Sequence, residues 1–569
     1  MQHFNYALLF FLLCCQFFGE VTSQPVEIRS PLEIPLLLSG NFGELREHHF
    51  HAGIDLRTNG ESGAKIFALA PGYVSRVKIQ AGGYGHSVYI THLNGFTSVY
   101  AHLESFFPEL EEYVKQQQYQ KKSFEVNLYP DKYMFIITKG QQIGVSGNTG
   151  SSGGPHLHLE YRDPQQVPNN LLKYNLPIKD TIPPVFRNLV VYDGMDKETF
   201  QWNKKLFLKA SGYRGKYTVK VPVKVDEVSA FGIEVYDYLN GTSYRCGIYT
   251  LRFYVNNSLI YSMQLDKVSF SETKYIYTHS DFEEKKFNKK GVHRLFIEPN
   301  NKLSIYNSTL HDGVIILKDS AIHNAKIIAT DVYGNKSVMD FSIVRNHSKN
   351  HKNKQKGDIL LKYDEGNTVE KEGIKLFVPA NALYANKRVN ISTDSTGQGF
   401  LKHVFIIGDE AIPVHKYPEL SLKIDQPLVN VLPDKLVIAK IEKDGEIISE
   451  GGKWDNNWLT AKISGFGKYI VLSDTTAPKI KPVSFKSGSW YGPKDIISFK
   501  IEDELSKIES YKGYINGSWC LFEYDKKNDL LFYEIDAVRL KSTQKNHTLK
   551  LYIRDERGNL ATYTGTFNY

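Results

Sequence analysis

Short apolar runs that alternate with polar residues, or carry β-branched side chains, recur through residues 30–165 and are bounded by glycine. Gly72-Tyr73-Val74-Ser75-Arg76-Val77 and Ser87-Val88-Tyr89-Ile90 are two of them. Period-two alternation closed off by turn residues predicts strands. Glu104–Thr138 breaks the pattern. Pro108 stands where a first helical residue would, Glu109, Glu111 and Glu112 follow, and Lys115, Lys121 and Lys122 come later. That charge order complements a helix macrodipole, so a short helix inserted in an otherwise β domain is predicted. Farther on, Leu436-Val437-Ile438-Ala439 and Tyr469-Ile470-Val471-Leu472 read as strands of another β-rich unit.

Beyond residue 170 the chain echoes itself. Asp180-Thr181-Ile182-Pro183-Pro184 returns as Asp474-Thr475-Thr476-Ala477-Pro478, and Asp331-Val332-Tyr333-Gly334-Asn335 returns as Asp555-Glu556-Arg557-Gly558-Asn559. Proline is barred from central ladder positions and marks a module start, whereas Gly-Asn supplies positive φ in a hairpin. Two related Ig-like β-sandwich modules are expected, the first of them enlarged. The expected organisation is a signal peptide at 1–23, a first domain at 24–170 and an enlarged β-sandwich at 171–345. A basic linker at 346–356, a β-rich domain at 357–473 and a C-terminal β-sandwich at 474–569 complete it. The linker carries Lys349, Lys352, Lys354 and Lys356 without an acid, too little apolar surface to order itself. Contact with an anionic wall polymer is its alternative role.

Composition supports a mainly β globular chain. Of 569 residues, 41% are hydrophobic and 13% aromatic, with 36 Tyr and 32 Phe, types that favour pleated, half-buried strands. A net charge of +8 spread over this length is not the footprint of a nucleic-acid binder. Ala7–Phe18 is too short to span a bilayer but suits a signal-peptide core, with Val21 and Ser23 preceding a cut at Gln24. Cys14 and Cys15 keep a lipoprotein alternative open. No later segment is long and apolar enough to span a membrane, so an exported chain without a transmembrane segment is expected. Cys246 and Cys520 would then remain, as two buried thiols or one interdomain disulfide.

Two clusters carry candidate chemistry. His51-Ala52-Gly53-Ile54-Asp55 sets an imidazole four residues from a carboxylate, and Pro155-His156-Leu157-His158-Leu159-Glu160 sets two imidazoles two residues apart. On a strand, i and i+2 face the same way, so His156 and His158 can converge. Neutral imidazole and carboxylate suit zinc, and a catalytic zinc site keeps one position for water. His-x-His alone is also a common surface or structural pair.

Between the clusters stand Ala70-Pro71-Gly72-Tyr73-Val74, Gly83-Tyr84-Gly85-His86-Ser87-Val88, Tyr100-Ala101-His102-Leu103 and Gly147-Asn148-Thr149-Gly150. This ordered set, over about residues 40–162, closely resembles the lysostaphin/LytM-type zinc metallopeptidases. The resemblance implies His51, Asp55 and His158 as ligands of one Zn2+ and His156 as general base. It implies His102 as a second active-site histidine that orients water or stabilises the oxyanion. It also implies a small antiparallel β-domain with a groove and an endopeptidase acting on peptidoglycan peptides in the periplasm or cell envelope. The modules that follow would position the enzyme at a wall or protein partner, or serve as spacers.

His48 and His49 lack the family spacing and are read as non-ligands, while His86 and His92 are read as structural or exposed. Glu160 is either a partner of the histidine pair or a solvated carboxylate. Leu159 replaces the phenylalanine often found there, and Glu104–Thr138 is longer than the usual connection. Its position directly after His102 suggests that it walls one end of the cleft. Competing readings are a non-catalytic LytM-like regulator of wall hydrolases and a cupin-like metalloenzyme. The complete ligand set argues against the first, and the single residue before Glu160 argues against the second.

Overall fold

A computed structural model of the chain describes residues 27–346, 357–395, 401–424, 432–540 and 545–569. The expected signal peptide and nearly all of the expected basic linker lie outside the described residues. The chain is mainly β, as its alternation predicts, with β-sheet modules following the first domain.

The first domain is one antiparallel sheet. Its strands are β1 (Leu38–Gly40), β2 (Ile54–Arg57), β3 (Lys65–Phe67), β4 (Gly72–Ile79), β5 (His86–His92) and β6 (Thr97–Phe106). Helix α1 (Pro108–Lys121) follows, then β7 (Val126–Leu128), β8 (Ile136–Ile137), β9 (Gln142–Ser146), β10 (His156–Arg162) and β11 (Pro168–Asn169). The main path runs β1-β2-β10-β6-β5-β4-β7, so the late strand β10 is inserted between two early ones. Alternation then sorts its side chains. Leu157, Leu159 and Tyr161 enter a core with Ile54, Leu56 and Tyr100, leaving His156, His158, Glu160 and Arg162 on the opposite face. The register sets His158 directly across from Asp55 on one side and Ala101 on the other.

Helix α1 forms as its sequence predicts, with Pro108 in the first turn beside Glu109 and Glu111 and a left-handed cap at Lys122. Leu110 and Val114 anchor it to the first domain's core. It also touches the C-terminal module. Lys115 pairs with Asp536 at 2.8 Å, Tyr119 meets Trp519 edge-on, and the Arg539 guanidinium lies 3.6 Å from the Tyr119 ring centre. The insertion is therefore a docking shelf for a distant module.

The second unit faces a sheet containing Val185–Asp196 and Val228–Tyr236 against one containing Thr250–Val255, His323–Thr330 and Lys336–Arg345. Leu189, Phe231, Phe253 and Phe341 fill the space between them. Phe42, Leu45 and Phe50, from the segment between β1 and β2, are buried in that same core. Two five-stranded sheets form the body of the third unit, and two four-stranded sheets form the C-terminal one. Cys246 and Cys520 are both buried free thiols, which excludes the interdomain disulfide.

Candidate metal centre and its histidines

His51, Asp55 and His158 converge with donor atoms within 4.8 Å of one another. The Asp55 Oδ1 lies 3.0 Å from His51 Nε2 and 2.9 Å from His158 Nδ1, and the two nitrogens are 3.1 Å apart. Sheet pairing accounts for the meeting: Asp55 on β2 and His158 on β10 are cross-strand neighbours, and His51 precedes β2 on the loop. Gly53 permits the approach, because a Cβ there would stand 2.3 Å from the Leu159 carbonyl oxygen.

The far side of each imidazole is tied down. His51 Nδ1 donates to the Asn41 carbonyl at 2.8 Å, and His158 Nε2 donates to Glu160 Oε1 at 2.9 Å. Those bonds place the protons at the back and aim the His51 Nε2 and His158 Nδ1 lone pairs at Asp55. Three electron-rich atoms facing one another in a buried site are unfavourable unless a cation joins them. Two imidazole nitrogens and one carboxylate oxygen, each ring oriented by a partner, are a donor set that fits zinc.

Glu160 is fully buried, so it is the partner of the histidine pair and not a solvated carboxylate. Its Oε1 also accepts from the Tyr84 hydroxyl at 2.5 Å, and its Oε2 accepts from Arg162 Nε at 2.6 Å. Burial alone would raise its pKa, but Arg162 and His158 hold the carboxyl down at about 2. Burial opposes the charged form of His158 too, yet Asp55 and Glu160 on its two sides raise it to about 9. A metal ion held by this ring would have to displace that proton.

His102 and His156 form the other half of the site, with ring centres 4.9 Å apart. His156 Nδ1 donates to the Gly154 carbonyl at 2.8 Å, leaving Nε2 3.4 Å from Asp55 Oδ1. His102 has φ of +60° and is held at two points. Its backbone N–H donates to the Tyr84 carbonyl at 3.0 Å and its Nδ1 to the Thr149 carbonyl at 2.8 Å. The two glycine motifs make this possible by packing together, with Ser151 N–H on the Gly83 carbonyl and His86 N–H on Thr149 Oγ1. Burial, then His158 and His156, lower the His102 pKa to about 3, so its ring is neutral.

His48 and His49 are exposed, and His48 Nδ1 accepts from the Tyr277 hydroxyl. His86 bonds the Glu104 carbonyl and His92 bonds Ser98 and the Pro71 carbonyl, so both are structural. Several supporting residues were not singled out from the sequence. Arg46 reaches Asp55 Oδ2 at 2.7 Å and Glu44 at 3.3 Å. Arg162 extends the i, i+2 series of His156, His158 and Glu160, a signal the sequence did carry. From the C-terminal module, Lys527 Nζ donates to the carbonyls of Asn148 and Ser152, on the segment that leads into His156.

Comparison with known proteins agrees with this geometry. Residues 49–119 match Peptidase family M23, and residues 358–474 match the Zu5-like domain. A Haemophilus influenzae protein named "Uncharacterized metalloprotease" is 32% identical over 139 residues, 23% of this chain and 24% of that protein. The Neisseria meningitidis DD-carboxypeptidase/endopeptidase Mpg is 35% identical over 118 residues, 21% of each chain. The Vibrio cholerae peptidoglycan DD-endopeptidase ShyA is 29% identical over 163 residues, 27% of this chain and 31% of that one. The matched region spans less than a third of the length of each relative. Motif order, strand pairing and these matches together place a peptidase domain of the M23, lysostaphin/LytM-type family in this chain.

Proposed function

We propose that this chain is an exported zinc endopeptidase that hydrolyses peptide cross-links of peptidoglycan. Convergence of His51 Nε2, His158 Nδ1 and Asp55 Oδ1, with both imidazole tautomers fixed from behind, carries the reading. Relatives named as DD-endopeptidases support the substrate class. The complete donor set disfavours the regulatory alternative.

In this reading His51, Asp55 and His158 hold zinc, which when bound supplies Lewis acidity to polarise the scissile carbonyl and acidify water. His156 accepts the proton of the attacking water at Nε2, since Nδ1–H is committed to Gly154, and passes it to the leaving amine. His102 is neutral and its Nδ1–H is committed to Thr149, so its Nε2 presents a lone pair. That supports orienting water by accepting its hydrogen. Donating to an oxyanion would require Nε2–H and would set a bare Nδ1 against a carbonyl oxygen. Arg46 steadies Asp55 through its outer oxygen.

The test is digestion of purified wall fragments by the full chain, with and without a chelator, read by mass spectrometry. Cleavage of D-amino-acid cross-links that stops with chelator and returns with zinc is expected. Uncleaved cross-links under every metal condition would overturn the reading.

A further inference from the structure

The aspartates of the repeated sequence motifs come together in space, once in each of two modules. Asp180, from the first opening motif, and Asp331, from the first Gly-Asn turn, meet Asp237 with carboxylate oxygens within 4.8 Å. Asp474 and Asp555, their counterparts, meet Asp503 in the same way. The turn aspartates are bonded alike. Asp331 Oδ1 accepts from the N–H groups of Tyr333 and Asn335 and its Oδ2 from Asn335 Nδ2. Asp555 repeats this with Arg557 and Asn559.

Bonding within the clusters leaves some buried oxygens over. Asp237 is only 2% exposed, and its Oδ1 has no hydrogen-bond partner. Asp474 is only 4% exposed, and its Oδ2 has none either; nor does Asp180 Oδ2. Among the described residues, none of the six carboxylates has a Lys or Arg ion-pair partner. Lys435, the base closest in the bonding pattern, gives its ammonium to Asn559 Oδ1 and the Arg557 carbonyl. An unpaired buried carboxylate oxygen is costly, and three carboxylates together raise the cost. The first cluster lines a cavity of about 10 Å³, room for one small ion.

We propose that Asp180, Asp237 and Asp331 bind one calcium ion and that Asp474, Asp503 and Asp555 bind a second. The donors are all oxygen, which selects a hard cation over zinc. Magnesium keeps most of its waters and is seldom held by an all-protein set of carboxylates, whereas calcium accepts several carboxylate oxygens, so three aspartates around so small a space favour calcium. Each ion would sit at a joint. Asn41 and Phe42 of the catalytic domain also line the first cavity, and Asn41 is the residue whose carbonyl receives His51. At the second, Asp474 N–H donates to the Lys435 carbonyl of the third unit. The ions would clamp each module to the unit before it.

The test uses the zinc-loaded full chain in calcium-free buffer, with radiolabelled calcium in equilibrium dialysis to about 5 mM, above the roughly 10⁻⁴–10⁻³ M of weak protein calcium sites. Two calcium ions per wild-type chain, one for Asp237→Asn and none for Asp237→Asn/Asp474→Asn are expected. Thermal melting keeps folding in view. Without calcium the single variant should melt at or above the wild-type temperature, because a repelling charge is gone. With calcium, the wild type should gain more than the variant. Fewer than two ions on the wild type, or variants that bind as many, would overturn the proposal.

Discussion

Replacing Glu160 by Gln tests whether the carboxylate behind His158 sets the metal-binding nitrogen. Glu160 accepts on both oxygens: His158 Nε2–H at 2.9 Å and Tyr84 at 2.5 Å on one, Arg162 at 2.6 Å on the other. Glutamine keeps the shape but offers one oxygen and one NH2 group. Arg162 can only donate, so the amide oxygen must face it and the NH2 must face His158. The ring then accepts at Nε2 and carries its proton on Nδ1, the atom aimed at Asp55. Losing such an orienting partner typically costs 10- to 100-fold in metal affinity, or about 1.4–2.7 kcal/mol. Arg162, 6% exposed, also loses its counter-charge, a stability loss on the order of 3 kcal/mol. Zinc competition against a chromophoric chelator, on protein checked for native circular dichroism, measures the first effect. A folded variant that binds zinc within about twofold of wild type would refute the tautomer argument.

His158→Ala should lose bound zinc, whereas His156→Ala should keep it and lose most hydrolysis; equal metal loss on elemental analysis would undo the division of roles. In the metal-free protein His158 is raised to about 9 from 6.5, so its contribution is full below pH 6.5 and lost as pH rises through 9. The metal-free melting temperature should therefore fall between pH 6.5 and 9, and zinc should flatten that slope; equal slopes would contradict it. A fragment ending at residue 178 should fail to fold or to bind zinc. It strips the cover from Phe42, Leu45 and Phe50, each worth about 1.5–3 kcal/mol when buried. A cooperative melt and stoichiometric zinc from that fragment would count against the shared core.

The chemistry was legible because β10 writes it in plain alternation: His156, His158, Glu160 and Arg162 on one face, leucines and a tyrosine on the other. Helix α1 was legible from Pro108 and its charge order, but its purpose was not. Its contacts with Trp519, Asp536 and Arg539 cross about four hundred residues of sequence, and local pattern holds no record of such pairings. Asn41, Gly154 and Thr149 act through main-chain carbonyls, which every residue type possesses, so composition cannot point to them. The repeated aspartates stand in motifs that were read for their prolines and their Gly-Asn turns. Their meeting in threes needed Asp237 and Asp503, which belong to no repeated motif.

The way each histidine is held also says where this site is vulnerable to mutation. His51, His102 and His156 take their orientation from main-chain oxygens of residues 41, 149 and 154. Drift is cheap at 154, where a Cβ would meet nothing, but not at 41 or 149, because the Asn41 amide bonds the Gly247 backbone twice and Thr149 Oγ1 joins the His86 N–H to the Leu103 carbonyl. His158 alone relies on a side chain, and that side chain is held in turn by Tyr84 and Arg162. A saturation scan should find broad tolerance behind His156 and a narrow, interdependent trio behind His158.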